Sequence, residues 1–211
     1  MILYIANLSD FATDEYEKYY SMLDCQRRES VSRMRNENDK KRSVLGEALA
    51  RKGISSALGI DEAEIRFKRS ENGKPYCENA DVYFSISHSK SIVVCAIGGS
   101  ELGADVEYIR DVEARVLRFA CTENETKKYF PDLNIGDGAE KLPPEYKREF
   151  FRIWTAKEAY GKFLGKGISA MRNLELSEIS SNLIRREFDD YTLALYCEEK
   201  DKNIKEIWYG E

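Results

Sequence analysis

Apolar positions along the chain change period several times. Met1 to Ala6 is a mostly apolar run that predicts a strand, and Tyr16, Tyr19, Tyr20 and Leu23 recur at helical spacing. Val44, Leu45, Ala48 and Leu49 form the stripe of a longer helix, with Asn38 or Asp39 as its cap and Gly53 or Gly59 as its end. Ile65 to Lys68 reads as extended, and Glu71-Asn72-Gly73 as a turn. Val82 to Ser87, Ser91 to Ile97 and Leu102 to Tyr108 then predict three consecutive strands, rich in Val, Ile and Tyr.

Val112 to Phe119 predicts a helix, and Thr122 with Glu125 fits a capping box that opens another. Asp132 to Pro144 carries Gly136, Gly138, Pro143 and Pro144 and reads as an exposed loop. Glu145 to Leu164 is the clearest long helix. Strand-like runs at Leu183 to Phe188, Tyr191 to Cys197 and Ile204 to Tyr209 close the chain. There is a faint internal repeat. Glu47-Ala48 precedes Lys52-Gly53-Ile54-Ser55, and Glu158-Ala159 precedes Lys166-Gly167-Ile168-Ser169, each followed by strands.

Composition narrows the class. The 211 residues suit one large domain or two of near 100 residues, and 42% apolar with 34% charged reads as soluble and globular. A net charge of −5 argues against a general nucleic-acid binder but leaves room for a local basic pocket. The five cysteines form no CxxC pair and read as reduced thiols. The start, MILYIANLSDF, has no signal-peptide character, and Ile92 to Ile97 is too short to span a membrane, so a cytoplasmic location is expected.

Asp105 and Glu107 stand one residue apart on a predicted strand, so their side chains share a face. Such a pair is either a solvated strand face or a place where a cation relieves the repulsion. Glu158 and Lys162 have the favourable i,i+4 order of a surface ion pair; alternatively, Glu158 completes an oxygen site that suits Mg²⁺. Trp154 and Ala159 look like packing residues. Lys74 beside Pro75 could grip an anionic or planar ligand or simply join two strands. Ser87-His88-Ser89 holds the sole histidine, either structural or part of a phosphate clamp. Lys40-Lys41-Arg42 and Arg27-Arg28 read as solvent-facing charge.

In this order, Gly73-Lys74-Pro75, Phe84-Ser85-Ile86-Ser87-His88-Ser89, Gly103-Ala104-Asp105-Val106-Glu107 and Trp154-Thr155-Ala156-Lys157-Glu158-Ala159 resemble the 4′-phosphopantetheinyl transferases. The likeness is to the double-length, monomeric type that serves peptide and polyketide synthases. It implies two similar α+β halves, 1–102 and 103–211, in a pseudo-twofold arrangement with coenzyme A in the cleft between them. It implies that Asp105, Glu107 and Glu158 bind Mg²⁺, and that Lys74, Pro75, Ser87 and His88 hold the adenosine and 3′-phosphate end, with Arg42 and Arg27 helping. Lys162 matches the lysine that meets the pyrophosphate. Glu125 falls where the family has a further acidic residue, although Phe119-Ala120-Cys121-Thr122 runs one residue longer than usual, and Ser85 replaces a frequent Asn.

The implied reaction has a carrier-protein serine attack the β-phosphorus of coenzyme A, releasing 3′,5′-ADP. Glu158, or a water, would serve as the base, and Lys162 would stabilise charge. The rival readings are a Mg²⁺-dependent pyrophosphate hydrolase and a coenzyme A binding module without catalysis. The expected partners are coenzyme A and an apo acyl or peptidyl carrier protein, with no nucleic acid and no membrane. For the carrier, the segment with Tyr108, Ile109, Val112, Val116 and Leu117, interleaved with Arg110, Arg115 and Arg118, is the docking surface expected from its apolar and basic pattern. An ordinary amphipathic helix packed on its own domain is the alternative.

Overall fold

A computed structural model describes residues 1–133, 140–167, 173–199 and 203–210. The architecture is mixed α+β, in two compact units that meet in sequence between Leu102 and Gly103.

The first unit opens with β1 (Ile2–Asn7) and continues through α1 (Thr13–Ser21), α2 (Cys25–Ser32) and α3 (Glu37–Leu58). A short hairpin of β2 (Phe67–Arg69) and β3 (Pro75–Cys77) leads to β4 (Tyr83–Ser89) and β5 (Ile92–Gly98). The sheet order is β4-β5-β1-β9, with β9 at Lys205–Trp208. α3 lays Val44, Leu45, Ala48 and Leu49 onto Tyr4, Ala6, Val93, Cys95 and Ile97, and that apolar seam is the core of the unit. The cap of α3 is Asn36, whose side chain accepts from the Asn38 N–H, two residues before the expected start. Gly59, with φ +70°, ends it. Gly53 does not, because the helix crosses Tyr4 and Ile97 there. An added Cβ would meet Ile97 Cδ1 at 2.1 Å, so this glycine serves close packing.

The second unit starts on β6 (Leu102–Tyr108) and continues through α4 (Leu117–Ala120), α5 (Glu123–Tyr129), α6 (Pro144–Phe163) and α7 (Leu176–Ile179) to β7 (Leu183–Phe188) and β8 (Tyr191–Cys197). Its sheet runs β6-β8-β7. α6 carries Phe150, Phe151, Ile153, Ala156 and Ala159 into a core completed by Leu117, Ala194 and Tyr196. Pro144 is the first residue of α6, where its missing N–H has no helical partner to lose. Residues Gly136 and Gly138 of the expected loop, and Ile168-Ser169 of the faint repeat, lie outside the described residues.

Two expectations change. Val112 to Phe119 is not one helix: a 3-10 turn, Ala114–Val116, precedes the single helical turn of α4. The final strand was assigned to a half spanning 103–211, yet β9 pairs in parallel with β1, Ile2 opposite Lys205 and Ile5 opposite Trp208. Its carboxyl end is tied down as well: the Tyr209 hydroxyl bonds Glu15, and Lys52 Nζ bonds the Tyr209 hydroxyl at 3.1 Å. No described helix is long and apolar enough to cross a membrane, and the five cysteines are free thiols.

Candidate functional site

In the second unit the site is built on β6 and α6. Gly103, Asp105 and Glu107 share one face of β6. At Gly103 that face lies directly against α6, where an added Cβ would come within 1.9 Å of the Ala159 carbonyl oxygen and 2.5 Å of the Phe163 nitrogen. The close approach draws Asp105, 5% exposed, against the same helix, where Lys162 Nζ donates to Asp105 Oδ1 at 2.8 Å. Glu158 sits one helical turn before Lys162, on the same side of α6. Burial, with the negative charges of Asp105 and Glu107, pushes the Glu158 carboxyl up to about 7 against the opposing pull of Lys162. Its Oε1 is buried and has no hydrogen-bond partner. Glu107 is paired with Arg110 at 2.6 Å, and that guanidinium also lies 5.1 Å from the Phe151 ring centre.

The sequence leads one to expect Asp105, Glu107 and Glu158 around one Mg²⁺. Among the described residues, no three His, Cys, Asp or Glu side chains stand close enough together to hold a metal ion as they are. The physical reason is visible in the pairing. Three carboxylates gathered without a cation repel, and here Lys162 and Arg110 supply the positive charge to Asp105 and Glu107. The donor set still fits a hard cation in one respect. Glu158 Oε1 is a buried carboxylate oxygen without a donor, a costly state that a cation would relieve.

Lys157, between Ala156 and Glu158, is fully buried. Its Nζ donates to Glu125 Oε2 at 2.5 Å and to the Ala120 carbonyl at 2.9 Å. Glu125 closes the capping box of α5 with Thr122, as the sequence indicates, and its other oxygen accepts from the Leu176 N–H at 2.7 Å. One ion pair thus joins the starts of α5 and α7 to the middle of α6, next to Glu158.

In the first unit, the Arg27 guanidinium donates to Ser43 Oγ at 2.5 Å, and its Nε lies 3.9 Å from Glu47. That Nε is buried without a partner. Burial, and then the charge of Arg69, hold Arg27 below its usual pKa. Neither Arg27 nor Arg42 is the freely solvated charge that sequence suggests. Arg42 donates to the Lys90 carbonyl at 2.6 Å and pairs with Asp39. Lys74 pairs with Glu101 and lies 3.3 Å from the Leu102 carbonyl. It borders a cavity of about 320 Å³ with Pro75, Tyr76, Tyr83, Phe84 and Glu101. On β4, Ser85 and Ser87 are buried on the face opposite Phe84 and Ile86, while His88 between Ser87 and Ser89 is exposed.

Sequence reasoning missed Ser43, Glu47, Arg69 and Glu101. Ser43, Glu47 and the buried Arg51 follow one another at four-residue spacing on α3, beside its apolar stripe. That spacing was the available signal. Nothing local marks Arg69 or Glu101.

The expected docking segment is mostly core. Leu117 is buried, and Ile109, Val112 and Val116 pack against the second core. What remains outside is Phe119, 47% exposed, with Arg110, Arg115 and Arg118.

Comparison with known proteins gives a consistent picture. Residues 101–206 match the family described as 4'-phosphopantetheinyl transferase superfamily, and residues 11–99 match 4'-phosphopantetheinyl transferase, N-terminal. The chain is 31% identical over 157 residues to 4'-phosphopantetheinyl transferase Sfp of Bacillus subtilis (strain 168), covering 74% of this chain and 66% of that one. It is 35% identical over 143 residues to 4'-phosphopantetheinyl transferase gsp of Aneurinibacillus migulanus, covering 68% and 56%. With 4'-phosphopantetheinyl transferase HetI of Nostoc sp. it shares 29% over 147 residues, 65% and 57%. The chain thus spans less than two thirds of the length of these relatives.

Proposed function

The chain belongs to the 4′-phosphopantetheinyl transferase superfamily, and from that premise we propose that it moves the 4′-phosphopantetheine group of coenzyme A onto a serine of an apo carrier protein, releasing 3′,5′-ADP. The observation that carries this reading is the set Asp105–Lys162–Glu158 on the β6–α6 face, inside the segment that matches the family.

Asp105 and Glu158, with Glu107 close by, would hold the Mg²⁺. When bound, the ion neutralises charge on the pyrophosphate. Glu158, directly or through a bound water, takes the proton of the serine hydroxyl as the hydroxyl oxygen bonds to the β-phosphorus. The bond from that phosphorus to the oxygen of the departing ADP breaks, and Lys162 Nζ, oriented by Asp105, meets the charge that develops there. Arg27 with Ser43, Lys74, Pro75, Ser87 and His88 would receive the adenosine and 3′-phosphate end.

The two units read as a duplicated α+β half. In each, a long helix follows the opening strand, and a later hairpin places its second strand between its first and the opening strand, giving β4-β5-β1 and β7-β8-β6. The halves follow the boundary 102/103, with β9 as the exception. A monomeric, cytoplasmic enzyme is the corresponding biological reading.

The test mixes the protein with coenzyme A, Mg²⁺ and a panel of apo carriers and weighs the carrier. A gain of one phosphopantetheine supports the transferase. Free phosphopantetheine with an unmodified carrier makes it a hydrolase, and binding without turnover makes it a coenzyme A binding module. Either of these ends the proposal.

A further inference from the structure

β1 and β9 lie side by side but differ in character. β1 reads Ile2-Leu3-Tyr4-Ile5-Ala6-Asn7 with its four central residues buried, whereas β9 reads Lys205-Glu206-Ile207-Trp208 and buries none of its residues fully. β9 ends the sheet order β4-β5-β1-β9, so without it β1 would be the edge. An apolar strand with an open edge is a template for pairing with another chain, and a short strand that carries charge is a poor one. β9 therefore covers a hazardous edge with a harmless one.

The pairing itself is short. Four residue pairs join β9 to β1, from Ile2 opposite Lys205 to Ile5 opposite Trp208, and of the β9 residues only Ile207 packs against the core of the unit.

The next residue supplies an anchor. The Tyr209 N–H donates to the Ile5 carbonyl at 2.8 Å. Its ring meets Phe11 edge-on with centroids 6.3 Å apart, and Lys52 Nζ lies 4.3 Å from the ring centre. Its hydroxyl donates to Glu15 and accepts from Lys52 Nζ at 3.1 Å, and Lys52 also reaches Glu15 at 3.2 Å. Burial, and then the bond to Glu15, push the Tyr209 hydroxyl up in pKa, so it stays a donor. Glu15 belongs to α1 and Lys52 to α3, so one side chain ties the end of the sheet to two helices.

We propose that Tyr209 is a latch: it holds β9 on β1, and by doing so keeps the β1 edge from pairing with a second copy of the chain. β9 is then a strap that opens by itself, ahead of the other strands of its sheet. This inference does not rest on the transferase reading, and either can fail without the other.

The test compares the parent, Tyr209→Phe, Glu15→Gln, the double variant and Tyr209→Ala. Tyr209→Phe keeps the ring and removes the hydroxyl. It should speed amide exchange in β9 about tenfold, with the amides of β5 changed less than about twofold. Glu15→Gln should act in the same direction, and the double variant should exceed the larger single effect by less than about threefold, because both remove one bond. Tyr209→Ala loses the ring as well. In sedimentation it should form larger species as its concentration rises, over a range in which the mass of the parent is constant. Should Tyr209→Ala not fold, Tyr209→Leu, which still fills the space beside Phe11, takes its place. Equal acceleration in β9 and β5 would show that β9 is no separate strap, and unchanged exchange in Tyr209→Phe would show that the hydroxyl does not hold it. Either result overturns the proposal. So does a Tyr209→Ala protein whose β9 exchanges fast but whose mass matches the parent at every concentration, since the β1 edge would then need no guard.

Discussion

Replacing Gly103 by alanine puts a methyl group where the strand β6 and the helix α6 already touch. The new Cβ would lie 1.9 Å from the Ala159 carbonyl oxygen, and ordinary contact begins at 3.4 Å, so the backbones must part by about 1.5 Å. Both obstructing groups, Ala159 O and Phe163 N, are main-chain atoms, so no side chain can swing aside. Overpacking of this kind costs about 1–3 kcal/mol, and a backbone clash belongs at the upper end. For a chain of this size, that is a fall in Tm of about 6–12 °C. The same displacement would open the 2.8 Å Lys162–Asp105 contact beyond hydrogen-bond range. A misplacement of about 1 Å in a positioned group can lower turnover by about 10²-fold. The assays are thermal unfolding and carrier-protein loading on the same preparation. Gly98→Ala is the control, since its Cβ would meet the end of the Leu102 side chain at 2.9 Å, which can move. The control should lose less than about 1 kcal/mol. If Gly103→Ala keeps its Tm within about 1 °C and its turnover within about twofold, then the close approach at Gly103 does not position the site.

Lys157→Met leaves Glu125 charged and buried and should cost about 3–5 kcal/mol by denaturant unfolding; adding Glu125→Gln should recover part of it, and strict additivity would refute the pairing. In metal-free protein, the raised pKa of Glu158 means that its protonated form favours the fold: the contribution is full below pH 4.5 and is lost as pH rises through about 7. Stability should therefore rise by about 1 kcal/mol on acidification from pH 8 to 6, after allowance for solvent screening, with Tm rising alongside, and Glu158→Gln should flatten that slope. His88→Ala should shrink the preference for coenzyme A over its 3′-dephospho form, measured by calorimetry, and an unchanged preference would make His88 structural. Phe119→Asp, at the exposed position beside Arg118, should raise the KM for the carrier severalfold with Tm unchanged; a lowered Tm would place Phe119 among packing residues.

What could be read from the chain follows how local each cause is. Leu102–Tyr108, Leu183–Phe188 and Tyr191–Cys197 appear as strands at the expected bounds, since apolar and β-branched content acts over a few residues. The Thr122–Glu125 capping box is equally local and is present. α2 escaped notice because CQRRESVS buries only Val31, leaving no stripe to detect. The strand at the end of the chain was legible, but its partner was not: pairing β9 with β1 joins the two ends of the sequence, and no nearby residue reports it.

The candidate site divides along the same line. The shared face of Asp105 and Glu107 follows from strand geometry alone, and Gly103 two residues before them marks where the backbone of α6 comes close. The charge state of Glu158 does not follow from its neighbours in sequence. Lys157 and Lys162 suggest a solvated ionic face, but Lys157 turns inward to Glu125, 32 residues away, and Lys162 is drawn to Asp105, 57 residues away. With both lysines committed elsewhere, Glu158 keeps an oxygen with no donor inside a partly buried, negatively charged corner, and its pKa rises for that reason. A carboxylate in that condition gains more from a cation or a proton than a solvated one does. The distant partners of its two neighbouring lysines therefore leave Glu158 as the member of the set with an oxygen open to a cation or a proton.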